Sequence, residues 1–328
     1  MNNNYSRPVI GLEDAFGTRA KQLRLLQMRL LELYEEAGYQ EVIPPLVERP
    51  ESLNCGGTGQ FLADQTLVFS DPAGAGLLGI RPDITPQVAR IAATRLQDVA
   101  VPKLCYSGPV MLSRPDSRTG SRQQWQTGIE LLGEAGKEAD VEVMHLAALS
   151  MHAAGFEGPL LQVGHLGILR ALVSGGDGPL DRWVGMMMRR SPEDTHRCLA
   201  GESFSEPVAQ ALLEMASGDA DREWLETNLN RLGDEFEHAG TTLLHLVEAV
   251  ESRLSGEVKV QLDAAVMPRF LYHSGIVFAG FAAGAPQALL HGGRYDTLMQ
   301  GHGRDMPATG FSFDLWAWLD AGAKLSRS

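Results

Sequence analysis

The sequence predicts an α+β fold: a β-sheet flanked by helices, with a mainly helical insertion at residues 169–254. Two observations carry this prediction. RQQWQTGIELLG (Arg122–Gly133) reads as a strand before the helical stretch, and VKVQLDAAV, SGIVFAGFAAG and ATGFSFDLW read as strands after it. Strands on both sides of such a stretch are expected to share one sheet, so the stretch reads as an insertion and not as a second independent domain. The whole chain, residues 1–328, is then one core.

The elements follow in order. After a polar arm comes a strong helix, with Thr18 placed to cap it and Ala20, Leu23, Gln27, Leu30, Tyr34 and Ala37 recurring at spacings of three and four. Gly38 stands where a helix-ending glycine belongs. Leu25, Leu26, Leu31 and Leu33 widen the apolar surface beyond one face, so a second copy of the chain is a candidate cover for it. YQEVIPPLVERPE (Tyr39–Glu51) reads as a strand that Pro44 and Pro45 confine to an edge. GGTG (Gly56–Gly59) has no GK[ST] after it and reads as a turn, followed by a short strand in QTLVFSD. A helix is expected from Pro86 to Leu96, capped by Thr85. VEVMHLAALSMHAAG (Val141–Gly155) is another amphipathic helix; its His145 and His152 are too far apart for i,i+4 metal ligation. RWVGMMMRRSPED, SEPVAQALLEMASG, REWLETNLNRLGDEFEHAG and TTLLHLVEAVESRL are the helices of the insertion.

Composition narrows the function. The 41 acidic against 28 basic residues give a net charge of −13, which repels phosphate backbones and argues against a nucleic-acid partner. Cys55, Cys105 and Cys198 lie far apart with no CxxC, so neither a disulfide framework nor a zinc site is expected and a reducing cytoplasm is the natural compartment. The N-terminal MNNNYSRPVIG has no signal-peptide core and no run approaches ~18 apolar residues, so no membrane association is expected.

Chemistry concentrates between Arg81 and Gly133, in RPDITPQVAR, YSGPVMLSRPD and RQQWQTGIELLG. Successive side chains on a strand point to opposite faces, so Gln126 and Glu130 share a face with Gly128 between them. A carboxylate and an amide beside a glycine gap suit the floor of a pocket for a small polar ligand. They equally suit a half-exposed strand with a solvated polar face.

RPDIT, YSGP, RQQWQTGIELLG, FLYHSGIVFAGF and HGGRYDTLMQGHGRDMPATGFSFDL, in that order, resemble the catalytic core of histidyl-tRNA synthetases over essentially the whole chain. The resemblance implies a class II synthetase fold, an antiparallel sheet flanked by helices, dimeric through the first helix and the Pro44-Pro45 strand. It also implies that Asp83 and Thr85 hold the amino group of a bound histidine. Gln126 and Glu130 complete the polar floor, and Tyr272 and His273 stand where the family keeps a Tyr-Tyr pair near the imidazole. Arg114 is a candidate for the ligand carboxylate. The family's histidine-specific arginine falls on Pro268, beside Arg269.

Three departures set the chain apart. Leu112 stands where class II enzymes carry the arginine that holds the α-phosphate of ATP, and Ala317 where they carry the arginine of the closing segment. Adenylation needs fixed positive charge against the developing phosphate, which neither leucine nor alanine supplies. The sequence ends at Ser328, where an anticodon-binding domain of about 100 residues would follow. An amino-acid pocket without ATP chemistry resembles the regulatory subunits of ATP phosphoribosyltransferase, paralogues of the synthetases. That resemblance implies a non-catalytic protein with no cofactor or metal. Its partner would be the short-form catalytic subunit in a hetero-octamer, which it activates at the first step of histidine biosynthesis, with free histidine as inhibitory effector. Two alternatives remain at this level. One is a truncated ligase charging a non-tRNA acceptor, with Arg114, Arg118 or Arg122 reaching the phosphates; the other is a scaffold that binds no ligand.

Overall fold

The computed structural model describes residues 8–55, 59–74, 76–116, 119–176, 178–268 and 273–323. The chain forms two compact units, the first made of Met1–Glu134, Ala153–Phe156 and Asp296–Ser328 and the second of Ala135–His152 and Glu157–Tyr295. Each has its own strands and its own covering helices.

The first unit opens with α1 (Gly17–Glu36), which buries Leu23, Leu26, Leu30 and Tyr34. Its N-cap is Phe16, without a side-chain hydrogen bond, so the expected cap at Thr18 lies inside the helix. Gly38 (φ 88°) ends it as expected: Gly38 N–H donates to Glu35 O and Tyr39 N–H to Tyr34 O, the paired bonds of a left-handed helix stop. The chain continues through β1 (Gln40–Glu41), β2 (Val47–Glu48), α2 (Pro50–Leu53), α3 (Gly59–Gln65), β3 (Leu67–Ser70), β4 (Leu77–Ile80), α4 (Thr85–Arg95), β5 (Lys103–Met111) and β6 (Gln123–Leu132). The two prolines interrupt the ladder between β1 and β2, since neither can donate to it. Most of GGTG falls outside the described residues.

The second unit holds α5 (Lys137–Ala153), apart from its last residue, and then β7 (Leu160–His165), α6 (Leu166–Val173), α7 (Leu180–Arg189), α8 (Pro192–Leu199), α9 (Glu206–Ser217), α10 (Arg222–Asn228), α11 (Asp234–Arg253), β8 (Lys259–Leu262), β9 (Ile276–Phe281) and β10 (Leu290–Arg294). RWVGMMMRRSPED divides into two helices because Arg190 adopts a left-handed conformation (φ 48°) and Ser191 then caps the next helix through the N–H of Asp194. Gly233 (φ 97°) likewise separates α10 from α11, which runs on through TTLLHLVEAVESR. The strands order β10-β9-β7-β8, antiparallel except for the parallel pair β7–β8. Parallel neighbours need a long crossover, and helices α6 to α11 supply it. At the start of α6, His165 Nδ1 accepts the Gly167 N–H at 3.1 Å, and burial lowers this imidazole to a pKa of about 4. A neutral ring is what that cap requires, because an imidazolium has no acceptor.

The chain returns to the first unit with α12 (Thr297–Gly301), β11 (Ala308–Asp314) and α13 (Leu315–Asp320). The main strands of this unit order β1-β5-β6-β11, with β5–β6 and β6–β11 antiparallel and the short β1 parallel to β5 at the edge. A second, three-stranded sheet orders β2-β4-β3. Phe313 stacks on Trp318 at 3.7 Å, and Phe156 meets Trp318 edge-on at 5.1 Å, fixing α13 against the strands. Among the described residues no helix is long and apolar enough to cross a membrane, and no group of three or more His, Cys, Asp or Glu could hold a metal ion.

Candidate functional site

In the first unit, strand β6 sets Gln126, Gly128 and Glu130 on one face. In register beside them on β5 stand Gly108, Tyr106 and Leu104, and on β11 Asp314, Ser312 and Gly310. Glycine therefore lies next to each large polar side chain. A Cβ at Gly310 would fall on the Glu130 carboxylate, so glycine there is what lets Glu130 lie flat across β11.

The loop before α4 closes the arrangement. Asp83 Oδ1 accepts the Thr85 N–H at 2.9 Å and the Gln126 amide Nε2 at 2.8 Å. Gln126 Oε1 accepts the Ile84 N–H at 2.8 Å, and its Nε2 also reaches Ser312 Oγ at 3.2 Å. Thr85 Oγ1 donates to Glu130 Oε1 at 2.9 Å, and the Tyr106 hydroxyl donates to the same oxygen at 3.0 Å. Asp83, Thr85, Tyr106, Gln126 and Glu130 are all buried. Burial, together with the charges of Glu130 and Asp83, pushes the Tyr106 phenol well above its ordinary value, so it stays protonated and remains a donor.

Two carboxylates, an amide and two hydroxyls thus converge on one face and hold one another in fixed orientations. Chemically, such a set suits a small cation rich in N–H donors, because buried carboxylates make strong charge-assisted hydrogen bonds. Asp314, across from Gln126, does other work: its Oδ1 accepts the N–H groups of Trp125 at 2.9 Å and Trp316 at 3.1 Å, capping α13, and burial raises its carboxyl to about 6.

The four expected residues Asp83, Thr85, Gln126 and Glu130 come together. Two details differ from the sequence reading. Thr85 is the first residue of α4, whose N-cap is Ile84 without a side-chain hydrogen bond; the Thr85 hydroxyl turns to Glu130, and Asp83, two residues earlier, accepts the N–H of Thr85 itself. The space over Gly128 is filled by Tyr106, whose ring a Cβ at Gly128 would strike. Tyr106 and Ser312 were missed as members of the site. Their signal was cross-strand register: both stand opposite Gly128, and register was not legible from the strand patterns alone.

Of the other expected residues, Tyr272 and Arg269 lie outside the described residues. His273 belongs to the second unit, where it is buried and meets Tyr295 edge-on at 6.3 Å. Pro268 is buried in that unit as well. Arg114 is exposed. At the expected ATP positions, Leu112 is buried, its N–H donating to Arg122 O and its carbonyl accepting Arg122 Nε at 3.2 Å. Arg122 is therefore tied into the backbone of the strand ends, and Arg118 lies outside the described residues.

Comparison with known proteins adds the following. The family model described as histidyl-tRNA synthetase matches residues 11–317. The chain is 36% identical over 310 residues to the ATP phosphoribosyltransferase regulatory subunit of Thioalkalivibrio sulfidiphilus, an alignment covering 93% of this chain and 78% of that one. It is likewise 36% identical over 307 residues to the protein of that name from Burkholderia thailandensis, covering 93% and 79%. Among solved structures, the ATP phosphoribosyltransferase regulatory subunit/histidyl-tRNA synthetase from Bacillus halodurans superposes with a TM-score of 0.86 over 98% of this chain and 84% of that one, at 24% identity, and so shares its fold.

Proposed function

The chain belongs to the family of ATP phosphoribosyltransferase regulatory subunits, built on the histidyl-tRNA synthetase core, and from that membership we propose that it activates a short-form catalytic subunit and lets histidine inhibit it. Its role in that complex is regulatory, and the phosphoribosyl transfer belongs to the partner. Histidine binds at Asp83, Thr85, Gln126 and Glu130. The observation that carries this reading is the pairing of the intact Asp83–Gln126–Glu130–Thr85 network with a buried Leu112 at the phosphate position. An ammonium has its acceptors; a triphosphate has lost its cation.

The effector acts by differential affinity. Histidine binds the inhibited state of the complex more tightly than the active one and draws the population toward it. The chain assembles with the catalytic subunit as a hetero-octamer. It pairs with its own copy through α1 and the Pro44-Pro45 segment, a reading supported by the exposure of Leu25, Met28, Ile43 and Leu46 there. The helical segment at 169–254 is read as an insertion, and the chain as a cytoplasmic protein.

The reading is tested by mixing the chain with the short catalytic subunit and following formation of phosphoribosyl-ATP. Turnover should rise well above that of the catalytic subunit alone and fall again as histidine is added. Equal rates with and without the chain, in a mixture shown by sedimentation to be complexed, would refute activation.

A further inference from the structure

Resting on the histidine-binding reading above, we propose that the buried guanidinium of Arg81 receives the α-carboxylate of the bound amino acid. Arg81 is only 3% exposed. Its Nε donates to Pro109 O at 3.0 Å, and its Nη1 to Pro44 O at 2.8 Å, Pro45 O at 3.4 Å and Gln87 Oε1 at 3.2 Å. Every one of these acceptors is neutral. The remaining nitrogen, Nη2, has no hydrogen-bond partner among the described residues, and a Cβ at Gly108 would lie 2.7 Å from it.

That position is informative because Gly108 stands directly opposite Gln126 in the β5–β6 register. The free end of the guanidinium thus lies over the strand position beside Gln126, on the face that carries Glu130. Gln126 in turn is bonded to Asp83 at 2.8 Å. A cation taken out of water with only neutral acceptors gains strongly from an anion delivered to its open donors. A zwitterionic amino acid brings both signs on one carbon: its ammonium suits Glu130 and Asp83, and its carboxylate suits Nη2. Leu112 cannot fill that role and Arg114 is exposed. Burial also lowers the Arg81 pKa, against the opposing pull of Tyr106 and Asp83.

The discriminating ligand is histamine, which keeps the imidazole and ammonium of histidine and lacks the carboxylate. Calorimetric titration of the full chain should show histidine bound at least about tenfold more tightly than histamine, the size expected of one charge-assisted contact. Arg81→Met should bring the two affinities within about twofold of each other by losing histidine affinity alone. A purely structural role would weaken both ligands together and leave the ratio as it was, which would overturn the assignment. If circular dichroism shows that Arg81→Met is unfolded, Gly108→Ala, which presses on Nη2 from the strand, should lower the same ratio; an unchanged ratio there would equally overturn it. Wild-type protein that binds neither compound would remove the histidine-binding reading itself, and the role of Arg81 with it.

Discussion

Glu130→Gln is expected to weaken histidine binding by at least about a hundredfold while leaving the protein folded. Oε1 of Glu130 accepts both the Thr85 hydroxyl at 2.9 Å and the Tyr106 hydroxyl at 3.0 Å. Glutamine has the same shape and keeps one acceptor oxygen for those two donors, so the local network survives. The negative charge does not. In a site this buried, truncating one partner of a charged pair costs about 2–5 kcal/mol, much of it from leaving the other charge uncompensated. Calorimetry would read the change in affinity, and thermal melting would confirm that the fold is retained. Binding within about threefold of wild type would mean that the ammonium does not lie against Glu130.

Asp140→Ala should strongly destabilise the second unit. Asp140 on α5 meets Arg294 on β10 through Nη2 at 3.0 Å and Nε at 3.2 Å, and both side chains are about nine-tenths buried. Removing the carboxylate strands a guanidinium in a poorly solvated place. Breaking a buried pair from one side costs about 3–5 kcal/mol, a large share of the ~5–15 kcal/mol that holds a typical domain together. Differential scanning calorimetry should show a transition lower by roughly 10 °C. A shift under about 2 °C would indicate that Arg294 turns to other acceptors, such as the Gly136 carbonyl already 3.5 Å from Nη2.

Much of the site was legible in the sequence because strand alternation is local. Gln126, Gly128 and Glu130 announce a shared face by spacing alone, and RPDIT places Asp83 and Thr85 at a helix start. What was not legible depended on register and on competition between neighbours. Tyr106 closes over Gly128 because β5 and β6 pair with those residues opposite each other, a long-range fact. The cap position falls on Ile84, one residue before Thr85, so the Thr85 hydroxyl is left to bond Glu130 while its N–H is taken by Asp83. Arg81 looked like one residue of a motif; only folding shows it wedged between the Pro44 and Pro109 carbonyls. In the helical segment, periodicity gave the helices, whereas the left-handed turn at Arg190 is a backbone event that a non-glycine residue does not signal.

A pocket that binds histidine without activating it is distinguished from a ligase site by histidine-dependent exchange of labelled pyrophosphate into ATP. With saturating histidine, ATP and magnesium, the chain alone should give no exchange above background, while a parallel titration shows histidine bound. Exchange that rises with histidine concentration would rule out a purely regulatory pocket, because it would require adenylate chemistry at a site where Leu112 and Ala317 stand in place of the phosphate-binding arginines.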